Sequence, residues 1–186
     1  MTGTDRCGLL KNNEPMIRIR QEEQTDRAAV FDVVRRAFEH VEHTDHDEHH
    51  LVERLRESDA FVPELSLVAV DAGEVVGHAL FTRVRIGDTV QLALAPVSVR
   101  PDRQRRGIGS LLIIEGHRIA RRLGYGFVVV LGHEVYYPRF GYRPASGFGI
   151  RAPFDVPDAN FMAVDLQERN IRLDAAVEYA GEFFNR

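Results

Sequence analysis

The segment from Leu92 to Leu131 constrains the fold of this chain more than any other. An apolar run at 92–99 precedes a short turn with two glycines, and residues 127–131 form a second, almost uniformly apolar run. Between them lies a helical pattern whose apolar residues are Leu111, Leu112, Ile113, Ile114, Ile119 and Ala120. A strand, a crossover helix and a second buried strand form a right-handed unit in which the two strands run parallel. The sequence therefore predicts an α/β fold built around this parallel pair.

The turn between the first strand and the helix has the composition of an anion site. Backbone N–H groups at a helix N-terminus point outward and carry about half a positive charge. Gly107 and Gly109 would let the backbone approach a ligand closely and adopt positive φ without steric cost. This stretch contains one carboxylate, Asp102, and four arginines: Arg100, Arg103, Arg105 and Arg106. These features predict that the turn holds a diphosphate.

The remaining patterns extend this unit to a mixed sheet. Consecutive strand patterns separated by turn residues predict antiparallel neighbours, so the sheet should be mostly antiparallel. The predicted strands are 17–20, 66–70, 74–86, 90–99, 127–131, 148–152 and 161–166. The predicted helices are 26–41, 48–57 and the helix after Gly107, with a helical turn within 132–142. An end segment at 175–184 fits either helix or strand.

Composition limits the architecture and the partners. With 186 residues, 44% of them hydrophobic and 28% charged, the chain fits one domain, which we place at 16–186 after a disordered leader at 1–15. The net charge of −4 argues against nucleic-acid binding. No apolar stretch approaches the ~20 residues of a membrane helix, and no signal peptide is visible. The single cysteine, Cys7, excludes an internal disulfide, which fits a cytoplasmic protein.

The order of elements and two motifs resemble the GNAT superfamily of acyl-CoA-dependent N-acyltransferases. The first motif is Gln-x-x-Gly-x-Gly at 104–109, which opens the central helix, and the second is Tyr-x-x-x-Gly-Tyr at 137–142. Residues 136–142 and 152–158 resemble more narrowly the YhbS-like branch of predicted acetyltransferases. The resemblance covers residues 16–184. It implies transfer of an acetyl group from acetyl-CoA to an amine, on a mixed, mostly antiparallel sheet with helices on both faces.

The resemblance also implies a donor site between the two parallel strands, which splay apart in this family. Backbone groups of Val97, Ser98 and Val99 would pair with the pantetheine arm of acetyl-CoA. A strand amide near Val97 would polarise the thioester carbonyl. The pyrophosphate would lie on the turn, whose cofactor-binding residues would be Gln104, Arg105, Arg106, Gly107, Ile108, Gly109 and Ser110.

Tyr137 is, by the same resemblance, the acid that protonates the departing CoA thiolate. The neighbouring Tyr136 could be mistaken for this acid, and we expect one of the two rings to face the cleft and the other to face the core. Many family members carry a glutamate base on the central strand, but residues 92–99 contain no carboxylate. Glu134, with His133 beside it, is the best substitute as catalytic base. A water relay and a weakly acidic acceptor are open alternatives.

Two other functions stay open on the sequence alone. The missing strand carboxylate would suit a non-catalytic acyl-CoA-binding regulatory domain. A histidine-rich stretch has spacings that could bind zinc in an interaction module, or it could border the acceptor pocket: His40, His43, His46, His49 and His50. Since no downstream Cys or His pair completes a metal set, we predict no metal. The acceptor amine is unspecified, and pairing of the C-terminal segments of two copies would give a homodimer.

Overall fold

The chain forms one mixed sheet with three helices in the part of it that the structure, a computed structural model, describes: residues 17–42 and 44–184. The strands lie in the order β1-β2-β3-β4-β5-β7-β6, and β8 adds to β3. Their bounds are β1 Arg18–Gln21, β2 Phe61–Asp71, β3 Glu74–Ile86, β4 Thr89–Val99, β5 Phe127–Leu131, β6 Arg143–Pro144, β7 Phe161–Asp165 and β8 Val177–Glu178, and the helices are α1 Arg27–Phe38, α2 Glu48–Arg56 and α3 Ile108–Arg122.

The parallel pair, β4 and β5, is joined only at its beginning. Its paired residues are Leu92 with Val128 and Ala93 with Val129, whereas the other neighbouring strands of the sheet pair antiparallel. Beyond Ala93, β4 stays paired with β3 through a bulge that shifts the register. Beyond Ala93, the other edge of β4 therefore pairs with no described strand, although the Val99 carbonyl accepts a 3.1 Å hydrogen bond from Gln104 Nε2. A wedge opens there towards β5.

Helices cover both faces of the sheet, as predicted. Alternate residues of β2 point to opposite sides: Leu67 packs in the core with α3, and Val68 packs with α1. The α3 side carries the larger of these two clusters, which includes Leu112 and Phe81. None of the described helices is both long and apolar enough to cross a bilayer.

Most predicted elements are confirmed, and two need correction. Instead of a strand at 148–152, the chain makes a 3-10 turn at Ala145–Phe148. Phe148 and Ile150 are apolar because they pack on the sheet beside Phe127, not because they belong to a strand. The end segment, expected as one helix or strand, instead contributes the two-residue strand β8, which pairs with β3 of the same chain, and a 3-10 turn at Gly181–Phe183. Pairing of this segment between two copies stays a prediction. The predicted leader, 1–15, lies outside the described residues.

Candidate active site

Two cavities meet in the wedge between β4 and β5. The first, called the turn cavity, has a volume of about 720 Å³ and is lined by Val97, Val99, Gln104, Arg105, Gly107, Ile108, Gly109, Ser110, His133, Tyr136, Tyr137 and Arg139. The second, the helix cavity, of about 400 Å³, lies against α1 and α2 and is lined by Ala37, Phe38, Val41, Glu48, Leu51, Leu94, Ala95, Pro96, Leu131 and Gly132 together with the shared residues Val97, Val99, Gln104, His133, Tyr136 and Tyr137.

The start of α3 presents free backbone donors to the turn cavity. The first bond that closes the helix runs from the Leu111 N–H to the Gly107 carbonyl, at 3.0 Å. The N–H groups of Ile108, Gly109 and Ser110 precede it, and no side chain caps the helix. Arg105 and Gly107 both have positive φ, +62° and +80°. Backbone of this kind gathers N–H groups into a concave anion site.

The two glycines of the turn serve different purposes. Gly107 adopts the left-handed conformation, as predicted, whereas Gly109 lies inside α3. A Cβ on Gly109 would stand 2.8 Å from the hydroxyl of Tyr136. Gly109 therefore allows a close approach of the Tyr136 hydroxyl and is not needed for positive φ.

Only some of the predicted arginines face the turn cavity. Arg105 lines it, but Arg100 and Arg103 do not, because both are held in ion pairs whose carboxylates include Asp102. Arg139, which the motif analysis passed over, also lines the cavity. Its guanidinium lies 4.2 Å from the centre of the Tyr136 ring, and no carboxylate is among the described lining residues. The turn cavity is therefore electropositive.

Of the ten predicted cofactor-binding residues, all but two line the turn cavity. The Ser98 side chain is buried in the sheet, and Arg106 is exposed outside the cavity. The prediction concerned the main chain at these positions, and for Ser98 that main chain pairs with His78 of β3. The role of Arg106 stays a prediction.

Both tyrosines line both cavities, so the expectation that one would turn to the core is not met. The Tyr137 ring packs on Gly132, where a Cβ would lie 2.2 Å from the ring, and meets the buried Tyr142 edge-on at 5.6 Å. Burial, with a smaller contribution from Tyr136, raises the pKa of Tyr137 to about 12. Tyr137 therefore carries its proton at neutral pH, and the raised pKa makes it a weaker acid than a solvent-exposed tyrosine.

The sequence profile described as the Acetyltransferase (GNAT) family matches residues 27–142. This chain belongs to the GNAT family. It is 37% identical over 141 residues to the uncharacterized N-acetyltransferase YjhQ of Escherichia coli (strain K12), covering 73% of this chain and 75% of YjhQ. Membership and this relative show that it is an acyltransferase enzyme.

Solved GNAT structures have the same fold. The YhbS protein from Escherichia coli, in complex with CoA, superposes with a TM-score of 0.82 at 28% identity, over 92% of this chain and 93% of YhbS. A GNAT acetyltransferase from Brucella melitensis, in complex with acetyl-CoA, gives a TM-score of 0.75 at 34% identity, over 90% and 98% of the two chains. The predicted fold and family are confirmed.

Glu134, the predicted base of this GNAT enzyme, lies away from both cavities. Its side chain is exposed, and its Oε2 accepts a hydrogen bond of 2.9 Å from Asn160 Nδ2. Its neighbour His133 lines both cavities. The role of Glu134 stays a prediction that this placement does not favour.

Glu48, which the sequence analysis did not single out, lines the helix cavity instead. Its Oε2 is buried and has no hydrogen-bond partner among the described residues. The available signal was its position on α2: together with Leu51, Val52 and Leu55 it follows the i, i+3, i+4, i+7 spacing of the apolar face. A carboxylate on that face points towards the protein.

The histidine-rich stretch contributes no described histidine to the cavities. His46 Nδ1 bonds the Phe38 carbonyl at 2.8 Å, while His49 and His50 pack against Phe31. Residue 43 lies outside the described part of the chain. Among the residues that are described, no group of three or more His, Cys, Asp or Glu side chains could hold a metal ion. The metal-binding alternative therefore gains no support.

Proposed function

We propose that this GNAT enzyme transfers the acetyl group of acetyl-CoA to a primary amine of a small molecule or peptide, by direct attack of the amine on the thioester. The observation that carries the proposal is that an electropositive cavity and a second cavity meet at Tyr137. CoA and acetyl-CoA are the ligands of the YhbS and Brucella melitensis structures. The reaction needs two such compartments with a proton donor between them.

The turn cavity fits the donor substrate. The unpaired N–H groups of Ile108, Gly109 and Ser110 and the charges of Arg105 and Arg139 would hold the pyrophosphate. The open edge of β4 offers backbone groups to an extended pantetheine arm. The volume of about 720 Å³ lies within the range of cofactor sites.

The transfer step uses the groups that line the wedge. The amine nitrogen forms a bond to the thioester carbonyl carbon, the carbon–sulfur bond breaks, and sulfur keeps the electron pair. The Tyr137 hydroxyl gives its proton to that sulfur, the amine loses a proton to solvent, and the Tyr137 phenolate then regains a proton from solvent. The high pKa of Tyr137 keeps the hydroxyl protonated until negative charge develops on the sulfur.

An amine panel tests the proposal. The protein is mixed with acetyl-CoA and a set of primary amines, free CoA is followed by a thiol reagent, and products are identified by mass spectrometry. We expect one acetylated amine for each CoA released. If calorimetry showed that acetyl-CoA binds but no amine caused release of free CoA, the result would instead favour the non-catalytic regulatory domain.

A further inference from the structure

We propose that Glu48 is the counter-ion for the acceptor, and that the helix cavity selects small amines on an apolar stem over amines that carry a carboxylate. Acetylation of such amines rests on the function proposed above, but their binding does not. The proposal starts from the difference in charge between the two cavities.

The helix cavity is apolar with one negative group. Phe38, Leu51, Leu94 and Pro96 are typical of its lining. Glu48 is the one carboxylate among the described lining residues, and no lysine or arginine is among them. A carboxylate on the acceptor would therefore meet no lysine or arginine there, and His133 would be the one described lining side chain able to carry a positive charge. An ammonium would meet Glu48.

One oxygen of the Glu48 carboxylate stabilises no described part of the fold through a hydrogen bond. A carboxylate in the first turn of a helix usually stabilises the helix dipole while its two oxygens lie in solvent and are hydrated. The Oε2 of Glu48 is instead buried, with no hydrogen-bond partner in the part of the chain that the structure describes, and leaving such a group unpaired is unfavourable. The preceding residue, Asp47, does have a structural partner, since its Oδ2 accepts a 2.7 Å hydrogen bond from Arg54. A cationic ligand would supply the partner that Glu48 lacks.

The size and position of the cavity narrow the ligand further. A volume of about 400 Å³ is near the lower end for small-molecule sites, which suits a compact amine. The cavity reaches Tyr137 and Val97, which also line the turn cavity. An amine whose stem packs on α1 and α2 would therefore lie beside the transfer site.

Ligand-observed NMR titration tests binding directly. Butylamine and phenethylamine are compared with norvaline and phenylalanine, which have the same stems with an added carboxylate, in the presence of CoA. We expect the two amino acids to bind at least about tenfold more weakly than the matching amines. Glu48→Gln should weaken amine binding about tenfold, the scale of a lost hydrogen bond to a charged group. Glu39→Gln removes an exposed charge outside both cavities and should leave binding unchanged.

The outcomes separate this inference from the proposed function. Equal binding of amines and amino acids, failure of both amines to bind, or unchanged amine binding by folded Glu48→Gln would each overturn the role of Glu48. Amine binding that depends on Glu48 without acetylation of any amine would support the inference and contradict the transfer reaction. If the wild type and Glu48→Gln acetylated all these compounds equally well, the result would support the transfer reaction and contradict the role of Glu48.

Discussion

The Tyr136 hydroxyl lies where Gly109 leaves room for it, 2.8 Å from the position that a Cβ would take. This contact brings the segment after β5 against the first turn of α3, so the two glycine-containing motifs close on the same cavity. Arg139 reinforces the arrangement, because its Nε donates a 3.0 Å hydrogen bond to the Tyr136 carbonyl while its guanidinium covers the ring.

Gly109→Ala should weaken acetyl-CoA binding about tenfold, or roughly 1.4 kcal/mol, because the new methyl group displaces Tyr136 from the turn cavity. Isothermal calorimetry measures the affinity. The double variant Gly109→Ala, Tyr136→Phe removes the clashing hydroxyl and should recover most of the loss. Gly147→Ala, where a Cβ meets no atom within 4 Å, is the matched control. Undiminished affinity in Gly109→Ala would show that this contact does not shape the site.

Tyr137→Phe should lower kcat by about 100-fold or more, because it removes the proposed acid while keeping the ring on Gly132. Steady-state kinetics measure kcat, and calorimetry should show acetyl-CoA affinity within about twofold of the wild type. Tyr136→Phe is the neighbouring control and should retain most of its turnover. If both variants turned over at the wild-type rate, the thiolate would need another proton source.

Gly116→Ala should destabilise the protein even though alanine usually favours a helix. The added Cβ would stand 2.2 Å from the ring of Phe81, which is fully buried under α3. We expect a loss of about 1–3 kcal/mol in the free energy of unfolding, measured by urea titration. Phe81→Leu in the same chain should offset part of this loss. A gain in stability, which helix propensity alone predicts, would contradict the packing argument.

Glu22 should make stability depend on acid pH. Burial raises its pKa, but His78, whose Nε2 lies 3.7 Å from Glu22 Oε2, the hydrogen bond from Ser66 and the charge of Arg56 outweigh burial and lower the pKa from 4.5 to about 2. Because the folded state holds the proton less tightly than the unfolded state, ionised Glu22 stabilises the protein above the unfolded pKa. This stability is lost as the pH falls through the folded pKa.

Glu22→Gln should therefore lower the free energy of unfolding by about 3 kcal/mol at neutral pH, since it leaves the Arg56 charge buried without its partner. It should also flatten the acid dependence, measured by urea unfolding across the acid range. Glu115→Gln is the control, because Glu115 pairs with the exposed Arg118 on one helix surface and should cost less than about 1 kcal/mol. The same acid slope in wild type and Glu22→Gln would exclude Glu22 as its source.

The spacing of apolar and turn residues predicted the fold correctly where the residues of an element by themselves indicate its burial. The bounds of β3 and β5 were predicted as observed, because turn residues flank β3 and because the short β5 is uniformly apolar, as a buried strand requires. The apolar spacing in residues 148–152 misled for the same reason, since Phe148 and Ile150 are buried from a turn. Periodicity reports burial, and burial is not confined to strands and helices.

The sequence by itself determined the parallel pair, the glycine turn that opens α3 and the family that these motifs indicate, because all three depend on residue types at short spacing. Only the tertiary structure decided which charges are available. It pairs Arg103 with Asp71, brings Arg139 to the turn cavity and leaves Glu48 Oε2 in the helix cavity without a hydrogen-bond partner among the described residues. Whether a charge has a partner depends on groups far away in the chain, and only folding brings them within hydrogen-bond distance.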